Sequence, residues 1–326
     1  MHPALSVILL TTLIGVGQGL FLALYTGQLY SVAKLLEHQD SQTFYAIGSA
    51  LALAFLAAGL VASFFHLGHP ERAWRSMTRW RTSWLSREVI VLPMVMLLVL
   101  LYGLFHYLEW TTPLFTVAGA LPVDATLIIG ILATLATFAL FICTGMIYAS
   151  IRFLQEWHCA LTVINFTLLG GASGFMLAAA FSAFIGVHLV GFYGTWAVIL
   201  TVTALLTRGA SLLRNHRLRP KSTLQSAIGV RHTTIRQIAQ GAMGGSFNTR
   251  EFFHHQPVRV LGMARFAFLV LVFPVPTLLL GAAWGMSSEF LPMVAFLAQY
   301  LGLLIERWYF FVEARHPQNL YYQSIA

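Results

Sequence analysis

Charge is scarce in this chain: Asp, Glu, Lys and Arg together make up 9% of its 326 residues. A soluble domain carries about 25% charged residues, and a chain of this size with so few cannot cover a water-facing surface. That excludes a soluble enzyme. It also excludes a disordered chain, which needs a polar, charge-rich sequence. Cysteine is scarcer still, with only Cys143 and Cys159. An iron–sulfur cluster held by one chain needs four thiolates. Neither a Cys-x-x-Cys pair nor a haem-attachment motif is present. Both cysteines read as reduced packing residues at the edges of apolar runs.

What the chain has in plenty is apolar sequence, at 58% of residues. A spanning helix needs about 20 predominantly apolar residues. Eight runs qualify, at about 6–30, 43–66, 85–107, 125–147, 159–181, 187–207, 262–284 and 290–308. Residues 159–207 contain no Asp, Glu, Lys or Arg. That stretch is too long for one helix and fits two with a tight turn near Ser182–Gly186. The runs are continuous rather than alternating, which excludes a membrane β-barrel. The first run lacks a basic leader and is too long for a signal-peptide core, so it reads as a span. No lipidation or twin-arginine motif occurs. The expected fold is an all-α polytopic membrane protein of eight transmembrane helices.

Net charge is +8, and the placement of that charge sets orientation. With eight spans both termini share one side, and 18 of the 19 Lys and Arg fall on it; only Lys34 lies opposite. The positive-inside rule then puts both termini and the basic loops in the cytoplasm. Without the five arginines between Arg72 and Arg87 the split is still 13 to 1. Residues 208–261 form one long basic loop with His216, His232, His254, His255 and a turn-prone stretch at Gly241–Ser246. It suits anionic lipid headgroups or a cytoplasmic partner subunit, and nothing in it reads as a nucleic-acid fold.

Ionisable residues inside spans are costly and so become functional candidates. His66 closes the second span and Glu88 lies one turn into the third. Between them run Trp74, Trp80 and Trp84 with Arg72, Arg75, Arg79, Arg81 and Arg87. Interfacial anchoring explains the tryptophans and most of the arginines, but not a carboxylate turned into an apolar helix. An imidazole titrates near neutrality, and desolvation moves a carboxyl toward the same range. The pair therefore suits quinone chemistry, which couples two electrons to two protons. A helix-end hydrogen bond and solute transport fit the same residues. Gln18 and Asn165 read as helix–helix hydrogen bonds. Arg152 and Glu156 have the i, i+4 spacing of a weak helical ion pair. His106 and His188 read as interfacial residues on the far side.

Three stretches resemble the DMSO reductase anchor subunit family. The first runs from His66-Leu67-Gly68-x-Pro70-x-Arg72-Ala73-Trp74 to Trp80-Arg81-Thr82-Ser83-Trp84-Leu85-Ser86-Arg87-Glu88. The second is Tyr148-Ala149-Ser150-Ile151-Arg152-Phe153 with Glu156-Trp157. The third is the tail Glu306-Arg307-Trp308-Tyr309-Phe310-Phe311-x-Glu313-Ala314-Arg315-His316. The resemblance implies the membrane subunit of a three-part complex. A molybdopterin catalytic subunit and a ferredoxin-like iron–sulfur subunit would complete it, with no metal on this chain. It implies a quinone, ubiquinone or menaquinone, as the redox partner. His66 and Glu88 would be the site histidine and carboxylate, with Arg72, Arg81 and Trp74 beside the quinone. Arg75, Arg79, Arg87 and Arg152 would dock the iron–sulfur subunit. His69 departs from the small residue more common at its position. In the DMSO-reducing complexes the motif face is periplasmic. Here it is the basic face, which resembles the cytoplasmically oriented, sulfite-oxidising branch in a bacterial inner membrane. The opposite flow, quinol oxidation to reduce an S- or N-oxide, is the alternative within the family. An unpartnered transporter is the alternative outside it.

Overall fold

The computed structural model describes residues 3–117, 121–219, 221–236, 238 and 257–317. Among these, long apolar segments form helices because a membrane offers no water to satisfy free backbone groups. The helices are α1 (Leu5–Val32), α2 (Ile47–Phe64), α3 (Trp84–Tyr107), α4 (Ala125–Ala149), α5 (Ala160–Ile185), α6 (Val190–His216), a short α7 (Leu224–Ile228), α8 (Val258–Val272), α9 (Pro274–Met286) and α10 (Leu291–Glu313). A turn of π-helix, Ser41–Ala46, leads into α2, and Asp40 caps it by accepting from the Thr43 amide at 2.6 Å. The Thr43 hydroxyl bonds the same oxygen, and these bonds hold the exposed Asp40 carboxyl below its usual range.

Among the described residues seven segments are long and apolar enough to cross a membrane, where the sequence suggested eight. One of the seven is α8 and α9 taken together. Pro274 lacks an amide hydrogen and crowds the preceding turn, so the run breaks at Phe273 and continues as a second helix. The eighth expected span is α10. It is a 23-residue helix, but Gln299, Glu306 and Arg307 dilute its hydropathy. A small antiparallel hairpin, Phe115–Val117 with Leu121–Val123, links α3 to α4; nothing in the apolar pattern pointed to it.

The centre of the bundle is α1 and α5. The most apolar stretches of these two helices are 72% and 83% buried, against 28% for α3. They meet through glycine. A methyl on Gly19 would lie 2.2 Å from the Gly170 carbonyl oxygen, and one on Gly174 would lie 2.0 Å from the Gly19 backbone. Small residues are what allow such close helix crossings in lipid. The outward faces of α3 and α4 instead expose Leu97, Leu100, Ile131 and Leu135, as a lipid-facing surface does.

Buried amides tie the helices together, since an unpaired polar group is costly in an apolar interior. Gln18 donates to the Thr137 carbonyl at 3.1 Å and Asn165 to the Ser211 hydroxyl at 2.7 Å, as the sequence led us to expect. Gln299 donates to Thr201 and to the Val272 carbonyl. Ile8 of α1, Leu154 and Trp157 of the α4–α5 turn, Phe310 and Phe311 of α10, and Ala314 just past its end belong to one cluster. The start of the first long helix and the end of the last therefore share one end of the bundle.

Three sequence readings need correction. The loop expected from residue 208 begins as helix, because α6 continues to His216. Arg208 and Arg307, counted among the loop charges, are buried inside the bundle at 2% and 4% exposure. Arg152 and Glu156 make no helical pair, because residues 150–158 are turns and Glu156 instead accepts from the Arg315 amide at 3.5 Å. Gly241–Ser246, Arg250, His254 and His255 lie outside the described residues.

Candidate functional site

Helix α3 explains why Glu88 points inward. Its buried residues Glu88, Leu92, Val95, Val99, Tyr102 and His106 recur every three or four positions, which is one face of a helix. The carboxylate thus occupies a core position of an otherwise apolar stripe. Ser83 caps the helix, its hydroxyl accepting from the Ser86 amide at 3.3 Å, and this fixes the register. Glu88 is 8% exposed and accepts a 2.5 Å hydrogen bond from the Thr144 hydroxyl of α4. Its other carboxyl oxygen has no protein hydrogen bond among the described residues.

His66 lies in the turn after α2, exposed, with its amide on the Ser63 carbonyl. Its partial burial lowers the imidazole below its usual range, so the neutral ring, which can still donate one N–H, prevails near pH 7. No hydrogen bond joins it to Glu88. From His66 the chain passes into a 3-10 helix, Pro70–Arg79, started by proline at its first position. Ten residues is long for 3-10 geometry, where runs beyond three or four residues are uncommon. Trp74 is 61% exposed and Trp80 53%. The guanidinium of Arg75 lies 5.7 Å from the Trp74 ring, that of Arg81 5.4 Å from Trp80 and that of Arg87 4.1 Å from Trp84. Arg87 also donates to the Trp80 and Arg81 carbonyls at 2.9 Å each. Arg72 pairs loosely with Glu71, which also meets His69 at 3.1 Å. Arg79 and Arg152 are exposed. The segment is a basic, aromatic platform packed on the start of α3, one turn from Glu88.

The sequence reading passed over two features. Thr144 carries no signal of its own, as a hydroxyl inside a membrane helix is common. The other is a buried charge cluster where α5, α6 and α10 meet. Arg208 Nε lies 2.8 Å from one Glu306 oxygen, and Arg307 Nε lies 2.8 Å from the other. Arg307 stacks on the Phe166 ring at 3.9 Å, and Arg208 faces Phe268 at 5.6 Å. A polar cavity of about 10 Å³ sits among Asn165, Ser211, Arg208, Glu306 and Arg307, the size of a single water. Adjacent Glu306 and Arg307 inside the last apolar run were the signal that could have found it.

Among the described residues no three His, Cys, Asp or Glu side chains gather as metal ligands, and both cysteines are free. A family model of the DMSO reductase anchor subunit matches residues 1–321. The chain belongs to that family. It is also 65% identical, over the full length of both proteins, to a sulfite dehydrogenase subunit of Allochromatium vinosum. Like the rest of the family it is a membrane anchor subunit, and the His66–Glu88 and Glu306–His316 stretches both lie within the matched residues.

Proposed function

We propose that this chain is the membrane anchor and quinone-reactive subunit of a sulfite-oxidising molybdenum enzyme. The observation that carries this reading is Glu88, a buried carboxyl one turn beneath an exposed basic–aromatic platform. The name of the Allochromatium vinosum relative supplies sulfite. Molybdopterin and iron–sulfur clusters would sit on two partner subunits, the iron–sulfur one seated on the platform through Arg75, Arg79, Arg87 and Arg152.

The residues present fit a quinone headgroup. Glu88 has a carboxyl oxygen without a hydrogen bond among the described residues, and Arg72, Arg81 and Trp74 of the neighbouring segment would offer guanidinium N–H groups and an aromatic face. A bound quinone supplies two-electron acceptance coupled to the uptake of two protons. On this chain, the His66 ring donates a hydrogen bond toward a carbonyl oxygen. Glu88 holds a proton and passes it on, and Thr144 fixes the orientation of that carboxyl. The arginines would place positive charge where negative charge grows, an effect that strengthens once a seated partner excludes water from the platform.

We place both termini and the platform in the cytoplasm, on the charge asymmetry of the loops. Counting α10 as the eighth crossing agrees with its end meeting the start of α1. The test is kinetic. In the intact complex, His66→Ala and Glu88→Gln should abolish quinone reduction while sulfite oxidation with a soluble artificial acceptor continues. Quinone reduction at the normal rate in both variants would overturn the assignment. The family's name favours a second reading, quinol oxidation driving S-oxide reduction. Turnover with dimethyl sulfoxide and quinol, but none with sulfite, would select it.

A further inference from the structure

Ion pairing satisfies only part of the polar corner where α5, α6 and α10 meet. Arg208 Nε and Arg307 Nε face the two Glu306 oxygens at 2.8 Å each. Beyond that pairing, four atoms still need partners. Arg208 Nη2 and Arg307 Nη1 donate no hydrogen bond among the described residues, and Asn165 Oδ1 and Glu306 Oε2 accept none. Arg208 Nε also lacks a well-aligned hydrogen bond, but it already faces Glu306. All four residues are buried, Asn165 at 5% exposure and Glu306 at 1%. A buried polar atom left unpaired is costly. A buried ion pair is favourable only when further hydrogen bonds satisfy its remaining protons and lone pairs.

The same four residues line the cavity of about 10 Å³, which admits a single water. The Asn165 amide is held in one orientation. The Ser211 hydroxyl donates to the Thr207 carbonyl at 3.2 Å, so its oxygen accepts from Asn165 Nδ2 at 2.7 Å, and Oδ1 is the unpaired end of the amide. Two unpaired donors and two unpaired acceptors match the full bonding capacity of one water molecule, which makes two to four hydrogen bonds when buried. We propose that this cavity is a resident water site. The water accepts from Arg208 Nη2 and Arg307 Nη1 and donates to Asn165 Oδ1 and Glu306 Oε2. It pins three helices at one point: α5 through Asn165, α6 through Arg208, and α10 through Glu306 and Arg307.

The charges of the corner select a neutral ligand. Arg208 and Arg307 face Glu306, and Glu313 lies within reach of Arg208 and accepts from Asn215. Two guanidiniums are thus set against two carboxyl groups, and the partly exposed Glu156 lines the cavity as well. An anion would sit against Glu306 Oε2 and Asn165 Oδ1 with no proton to offer them. A metal cation would meet two guanidinium N–H groups that need an acceptor. Only a molecule that both donates and accepts satisfies all four atoms. The rings of Phe166 and Phe310 form the apolar wall of the cavity. The water site is independent of the quinone chemistry proposed above.

The test is a density map of the purified protein, with any partner subunits it retains, at a resolution that shows ordered waters. One isolated peak should lie about 2.7–3.2 Å from all four atoms. An empty cavity in a map that shows other buried waters overturns the proposal. So does a peak in contact with the guanidiniums alone, which would be an anion. Labelling in solution gives a second readout. Hydroxyl radicals generated by X-rays in water enriched in heavy oxygen mark aromatic rings that stand next to resident water. Phe166 and Phe310 are only 7% and 6% exposed, yet both should take the label. Asn165→Leu removes an acceptor and puts a branched apolar side chain at the cavity. Label on the two rings should then fall to background, while the 53% exposed Phe153 keeps its own. Rings unlabelled in the wild type, or labelled equally in the variant, overturn the proposal. Should Asn165→Leu fail to fold, the wild-type map decides alone.

Discussion

Two sets of arginines lie toward the same end of this bundle and are treated in opposite ways. Arg75 and Arg81 are exposed, each resting on the tryptophan before it, and neither forms an ion pair among the described residues. Arg208 and Arg307 are buried against phenylalanine rings and share Glu306. Water solvates the first set, so those charges cost the fold little and remain available to a partner. The second set has left water, and its cost is offset only while the carboxylate between the two guanidiniums is present. Position along the helices decides the difference. The exposed set follows a helix end and a proline, whereas the buried set lies inside long helices on the faces that meet α5.

Breaking the buried set should have the largest effect. Arg307→Ala leaves Glu306 with half its compensation and should destabilise the subunit by about 3–5 kcal/mol. Thermal unfolding of the purified complex measures this, and an unchanged midpoint would show that the pair is solvated. Trp157→Phe sharpens the comparison by leaving the charges untouched while removing the 2.9 Å bond from Trp157 Nε1 to the Phe310 carbonyl and part of a buried ring. The expected loss is about 2 kcal/mol, and a loss exceeding that of Arg307→Ala would mean that packing, not charge, governs this corner. Arg75→Gln, in the exposed set, should change stability by less than about 0.5 kcal/mol. It should instead weaken association with the proposed iron–sulfur subunit, most clearly at low salt. Binding that is unaffected at every ionic strength would remove Arg75 from the docking surface.

Much of the fold was legible because lipid leaves so few options. Long apolar runs became helices, and Pro274 broke one of them where its missing amide required. The hairpin at Phe115–Val123 was hidden because three-residue strands leave no periodic trace. Glu88 could be read as buried from its register with Leu92 and Val95, but its partner could not, since Thr144 sits 56 residues away and looks like any threonine in a span. Arg208 was misplaced for the opposite reason. It follows a long uncharged run and so looks like the first residue of a loop, whereas α6 carries on past it. The last apolar run announced its charges in Glu306 and Arg307, but only the tertiary structure shows that Arg208 completes the set.

The measurement that bears most directly on the proposed function is a structure of the assembled complex with a quinone-site inhibitor bound. The inhibitor headgroup should lie within hydrogen-bonding distance of the Glu88 carboxyl, below the Pro70–Arg79 platform. A headgroup seated at the far end of α3, beside Tyr102 and His106, would contradict it.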